Sequence, residues 1–153
     1  MAKKKAGQKH IFDFALSFAG EDRAVASRLA HLLDRSGARV FYDDNFRPFL
    51  LGKKLTKEFK TIYGTSTRYV VPIISKYYPE KDWTDFEFSV VKREKGRRKE
   101  EFVLPLRLDK TKILGLHEDV GYLNLQRISI KEVAEILLAK IGLELVTRPQ
   151  WWA

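Results

Sequence analysis

The chain has 153 residues, 44% of them hydrophobic, and 29 Lys and Arg against 20 Asp and Glu give it a formal charge of +9. That length suits one domain with its own core; no apolar run reaches the ~18 residues of a membrane span, and the opening MAKKKAGQKH lacks the apolar stretch of a secretory signal. The absence of Cys excludes disulfides, thiolate zinc sites, iron–sulfur clusters and a cysteine nucleophile, and fits a reducing cytoplasm.

Residues 11–18, IFDFALSF, are rich in aromatic and branched side chains and bounded by Gly20, which predicts a first strand. Val25, Leu29, Leu32 and Leu33 then form one apolar stripe at helical spacing, predicting a helix over 21–36 that Gly37 ends. A short second strand is expected at 39–42 (RVFY), followed by the loop DDNFRPFLLGKK, punctuated by Pro48 and Gly52. Leu55, Phe59, Ile62 and Tyr63 make a second helix face, closed by Gly64. The third strand, 68–75 (RYVVPIIS), is the near-continuous apolar run of a parallel strand covered on both faces. Its Pro72 donates no ladder bond, so the strand is expected to lie near an edge or to bulge there. A third helix over 84–96, a fourth strand at 102–107, a polar loop with Gly115 and Gly121, and a fifth strand at 122–125 follow. Ser129 with Glu132 reads as a capping box ahead of Val133, Ile136, Leu137 and Ile141, with Gly142 at the stop.

Five strands alternating with helices imply right-handed crossovers and a flavodoxin-like, doubly wound, five-stranded parallel sheet flanked by helices. The ligand crevice of such a sheet lies beyond the carboxyl ends of its strands, which singles out the loops 17–23, 43–54 and 75–82.

The positive charge is concentrated. Residues 1–10 hold four Lys and no acid, 92–99 (KREKGRRK) hold six basic residues and one acid, and the remaining chain carries 19 of each sign. The two runs read as a solvated tail and a solvated helix end, or as a patch facing phosphate or membrane.

Common α/β chemistries find little support in the loops. Gly52 and Lys53 lack the first Gly of a Walker loop, since position 47 is Arg, and no G-x-G-x-x-G follows the first strand. Ile73, Ile74 and Ser75 stand where a phospho-acceptor Asp would end the third strand. His10, His31 and His117 are isolated, and neither H-E-x-x-H nor G-x-S-x-G occurs, so no metal site is expected. His31, beside the first helix's apolar stripe, reads as a boundary residue.

The segments FALSFAGEDR, VFYDDNFRPFLLGKKL, VVPIIS and DWTDFEF, in that order, resemble the signature boxes of a bacterial Toll/interleukin-1 receptor (TIR) domain across roughly residues 10–142. The resemblance implies a TIR domain over 11–143, with a basic tail at 1–10 and a C-terminal extension or linker at 144–153. It also implies one of two activities, cleavage of NAD+ between nicotinamide and ribose, or homotypic scaffolding. In enzymatic members the catalytic Glu follows a Trp by four positions at the start of the helix after strand three, which carries over to Glu87 and Trp83. The loop after strand one lines the nucleotide pocket, matching Phe18 and Ala19. Some members place cationic residues just after the aromatic; this chain departs from that with Ala19 and Gly20 there, so a pyrophosphate would be met only if Arg23 or Lys54 reaches in. Asp43 and Asp44 begin the loop that mediates TIR–TIR contact and gates the site.

One carboxylate suffices in principle. Glycosidases add an acid because their leaving oxygen is poor, whereas nicotinamide departs as a neutral pyridine. A Glu that binds the ribose hydroxyls and faces the oxocarbenium charge supplies the stabilisation. NAD+ is then substrate, and no cofactor is expected. Glu87 has a second reading as the N3 partner of Thr84 in a capping box; with Asp82 as N-cap, its side chain is free for the crevice. Trp83 fits either the core or stacking on a base. Phe46, Phe49, Leu50 and Leu51 either fold onto the second helix or meet another copy, giving a homo-oligomer or filament. Trp151 and Trp152 either fold back onto the sheet edge or begin a linker to a sensor domain, as in an effector of bacterial defence. No membrane partner is expected, and nucleic-acid binding through 92–99 is the least favoured role.

Overall fold

The computed structural model describes residues 10–42, 66–78, 102–111 and 121–146. Strand β1 is Phe12–Ser17, with every residue buried; a 3-10 turn at Gly20–Asp22 leads into helix α1, Arg23–Arg35. Strands β2 (Val40–Phe41), β3 (Thr67–Ile74), β4 (Leu106–Arg107) and β5 (Leu123–Asn124) precede helix α2, Ile130–Lys140. The strands pair in parallel in the order β2-β1-β3-β4-β5. This is the expected doubly wound α/β sheet. The helices expected around 55–63 and 84–96 lie outside the described residues, and no described helix is long and apolar enough to cross a membrane.

Alternation along the strands builds the core. Phe14 and Leu16 of β1, Val71 and Ile73 of β3 and Leu106 of β4 join Leu29 and Leu33 of α1 and Val133 and Leu137 of α2 in one buried cluster. Each such side chain contributes about 1.5–3 kcal/mol by leaving water. Ala15, Val70 and Ile74 are buried as well, so both faces of the central strands are covered, which explains their unbroken apolar sequence. Both helices end on a left-handed glycine: Gly37 (φ 101°) lets Ala38 N–H reach Leu33 O at 3.1 Å, and Gly142 (φ 77°) lets Leu143 N–H reach Leu138 O at 3.0 Å. At the amino end of the sheet, Asp13 accepts the Arg39 backbone N–H (2.8 Å) and its guanidinium (2.8 and 3.2 Å), clamping β1 to the start of β2. The same contacts raise the Arg39 pKa above its ordinary value, Asp13 hydrogen bonding outweighing desolvation.

Pro72 corrects the sequence expectation. The strand β3 is central, with β1 on one side and β4 on the other. Its register with β1 is constant from Phe12↔Thr67 to Ser17↔Pro72, and with β4 from Val70↔Val103 to Ile74↔Arg107, so nothing bulges. Val70 both donates to and accepts from the β4 side, through Phe102 O and Leu104 N–H; alternation therefore points the missing N–H of Pro72 that way too. The β3–β4 ladder is interrupted there instead. Val103 forms an isolated bridge, and β4 begins only at Leu106.

Candidate functional site

The chain passes from β1 outward to β2 and returns to β3 on the other side of β1, so the switch in strand order falls between β1 and β3. At their carboxyl ends lies a polar cluster: Ser17, Asp22 and Ser75 are buried, as is Tyr78. The Ser17 and Tyr78 hydroxyls are 2.6 Å apart, the Ser75 hydroxyl donates to Asp22 Oδ2 at 2.5 Å, and Tyr77 N–H donates to Ser75 Oγ at 3.1 Å. Asp22 is the N-cap residue of α1, yet its side chain makes no capping bond there. It ties the loop after β1 to the loop after β3. Among the described residues neither serine has a histidine or lysine beside it to make it a nucleophile, and the Asp22 carboxylate that accepts from the Ser75 hydroxyl also links the two loops, so the cluster reads as structural.

The loop after β1 carries two of the residues expected at the site. Phe18 is half-buried; the Arg23 guanidinium lies 5.2 Å above its ring, and the Tyr42 ring is 6.2 Å away at 47°. Arg23, one of the two alternatives for meeting a pyrophosphate, thus rests on the aromatic of the loop after β1. Ala19 is buried, and its carbonyl accepts Asp22 N–H at 2.9 Å, closing the 3-10 turn. Among the described residues nothing stands within 4 Å of where a side chain on Gly20 would begin. The remaining expected residues, Asp43, Asp44, Phe46, Phe49, Leu50, Leu51, Lys54, Trp83 and Glu87, lie outside the described residues, as do 92–99, Trp151 and Trp152. Among the described residues no group of three His, Asp or Glu is arranged to hold a metal.

The Ser17–Tyr78 and Asp22–Ser75 links went unread in the sequence because their partners lie 61 and 53 residues apart. The available signal was a Ser ending each of the two most apolar strands, where a buried hydroxyl must find a partner.

A parallel sheet in this order matches the fold that the sequence boxes imply. A sequence profile of the TIR domain family matches residues 14–137. The chain belongs to the TIR domain family. It is 37% identical over 134 residues, 88% of its length, to a protein of Aquimarina amphilecti named 3' cyclic ADP-D-ribose synthase AaTIR, of which the match covers 41%. The chain therefore spans about two-fifths of the length of that curated relative. Among solved structures, the TIR domain of the Toll-related receptor TRR-2 from Hydra magnipapillata superposes with a TM-score of 0.62 at 16% identity, covering 85% of this chain and 94% of that one. A metazoan TIR-STING receptor from C. gigas, in complex with 2',3'-cGAMP, superposes with a TM-score of 0.64 at 14% identity, covering 85% and 40%. These likenesses show that the TIR fold is shared.

Proposed function

We propose that this TIR domain cleaves NAD+ to nicotinamide and either ADP-ribose or a cyclic ADP-ribose. The observation that carries the reading is the 37% identity, across 88% of the chain, to a relative whose name is that of a cyclic ADP-ribose synthase. The strand order supports it, because it puts the loop that carries the Phe18 ring and the Arg23 guanidinium at the β1/β3 switch, where ligands of such sheets bind. So does the run Trp83-Thr-Asp-Phe-Glu87 in the segment after β3.

In this reading Glu87 is the catalytic carboxylate. It holds the ribose hydroxyls and faces the positive charge that develops as the nicotinamide–ribose bond lengthens, while nicotinamide leaves with the bonding pair as a neutral base. Phe18 and Trp83 offer faces to the rings, and Arg23 or Lys54 meets the pyrophosphate. No cofactor is required. Copies assemble through the 43–54 loop, with Asp44, Phe46, Phe49 and Leu50 at the contact, and the domain serves as an effector in bacterial defence within the cytoplasm.

The experiment follows free nicotinamide as purified protein is incubated with NAD+ over a range of protein concentrations. Release is expected, rising more steeply than linearly with protein as assembly sets in, and Glu87→Ala should lower it by about 10²–10³-fold. Equal release by Glu87→Ala overturns the assignment of that residue. No release at any concentration replaces the enzyme reading with the scaffolding one.

A further inference from the structure

A second polar cleft opens on the same carboxyl edge of the sheet, away from the β1/β3 switch point. It has a volume of about 610 Å³, within the usual range for small-molecule sites, and among the described residues it is lined by Arg107, Asp109, Lys110, Tyr122, Asn124, Gln126 and Arg127. Arg107 ends β4 and Asn124 ends β5; the two are register partners, and Ile74 of β3 pairs with Arg107 on the other side. The cleft therefore begins one strand beyond β3, two strand spacings or about 10 Å from β3 to its far wall.

The walls are built. Asp109 accepts Thr111 N–H (3.0 Å) and Lys76 N–H (2.9 Å), fixing the turn after β4 against the turn after β3. Asn124 Oδ1 accepts Gln126 N–H at 2.9 Å, and its carbonyl accepts Arg127 N–H at 2.9 Å, so the turn after β5 is closed with Gln126 and Arg127 displayed outward. Burial alone would raise the Asp109 pKa, but the Thr111 and Lys76 hydrogen bonds outweigh it and hold the carboxyl below its ordinary value. Its charge is present at neutral pH, and both its oxygens are already engaged. Against that negative charge stand Arg107, Lys110 and Arg127, a net +2 among the described residues of the cleft.

Arg107 is the focal group. Its Nη1 donates to Thr111 O at 2.6 Å, and the guanidinium lies 4.6 Å above the Tyr122 ring. Its Nε is buried with no hydrogen-bond partner among the described residues. Among the described residues this Nε, which lies on the side-on edge of the guanidinium that matches the oxygens of one phosphate, is thus uncommitted. A buried N–H left unpaired is unfavourable, and a small turn of the guanidinium onto an anion relieves it. Lys110 and Arg127 lie exposed beside it. Tyr122, 48% exposed, adds a half-open aromatic face.

We propose that this cleft is a nucleotide phosphate site. Arg107, Lys110 and Arg127 take the phosphates of a nucleoside mono- or diphosphate, and Tyr122 receives its base. The site stands on its own residues, whether or not the β1/β3 crevice turns over NAD+.

The test titrates ADP into the chain by calorimetry, with inorganic pyrophosphate and adenosine as separate probes, and repeats each titration on the double variant Lys110→Ala/Arg127→Ala. Both substitutions are on exposed side chains, so the melting temperature should not move. ADP is expected to bind, pyrophosphate to compete with it, and the double variant to bind ADP at least tenfold more weakly. Added salt should weaken the wild-type affinity more steeply than the variant's. Absence of ADP binding at millimolar concentration, an affinity unchanged in the double variant, or adenosine binding as tightly as ADP would each overturn the proposal. Because Lys110 and Arg127 lie outside the β1/β3 switch point, ADP held at that switch point would be unaffected by the double variant, so the loss it causes reports this cleft and not NAD+ cleavage.

Discussion

Asp22 occupies the position where a carboxylate would normally satisfy the first turn of α1, and its side chain instead takes the Ser75 hydroxyl at 2.5 Å. Capping of that kind is worth about 1 kcal/mol, so the helix gives up a local stabilisation that the fold recovers as a link between two loops. Its charge still sits favourably at the positive end of α1. Removing the hydroxyl leaves a buried carboxylate and the Tyr77 N–H without their partner. Ser75→Ala is therefore expected to lose about 1–3 kcal/mol in urea unfolding, while Ser75→Thr, which keeps the hydroxyl, loses less. Equal losses from the two would show that the hydroxyl is not what matters. Residue-level legibility in the sequence follows chain separation. Ser129 and Glu132 were readable as a pair because three residues separate them, and the structure has both halves of the box, Glu132 N–H to Ser129 Oγ at 3.1 Å and Ser129 N–H to Glu132 Oε1 at 2.9 Å. Asp22 and Ser75 meet only through the fold.

At the level of elements, the periodic and the continuous segments were the legible ones. The helix α1 buries Leu29 and Leu33 of its expected stripe, keeps Val25 and Leu32 partly buried and adds Ala26 and Ala30 to the core, and β1 and β3 fall within one residue of their expected ends. The margins were not legible in the same way. Strands two, four and five each came out as two paired residues, because pairing ends where a neighbour's hydrogen-bonding groups stop, and no periodicity records that. Pro72 is the clearest instance: its cost falls on β4, which is shortened, and not on β3, which carries it. The capping box gives this scale its prediction. Ser129→Ala should destabilise the domain by about 1 kcal/mol and lower its melting temperature, since α2 supplies Val133 and Leu137 to the core. A melting temperature unmoved by the substitution would mean that core packing alone sets the start of α2.

For the whole molecule, the net +9 proved less informative than the placement of single charges. The basic runs at 1–10 and 92–99 account for the excess by composition, and the remainder of the chain is balanced. Within that balanced remainder the fold brings Arg107, Lys110 and Arg127 to one cleft, a grouping that chain order hides because strand order, not sequence spacing, makes the ends of β4 and β5 neighbours. The candidate crevice was legible for the same topological reason, since strand order alone determines where an open parallel sheet switches direction.

Unequal strand lengths have a consequence for how the molecule opens. The pair β1 and β3, six and eight residues long, shares five register partners, whereas β2, β4 and β5 are two residues each. Such a sheet is a two-stranded spine with thin margins, and its amide hydrogens should exchange with solvent in tiers. Those of Phe14–Leu16 and Val71 are expected to exchange only on global unfolding, and those of β2 and β5 through cheaper local openings, a hierarchy that native-state exchange in low denaturant would resolve; a single exchange rate across all five strands would contradict it. Both loops that flank the β1/β3 crevice hang from the spine, while the cleft beyond β4 and β5 is carried by a margin. The first would keep its geometry through partial openings that dissolve the second, so a ligand in the outer cleft would stiffen the least protected side of the sheet.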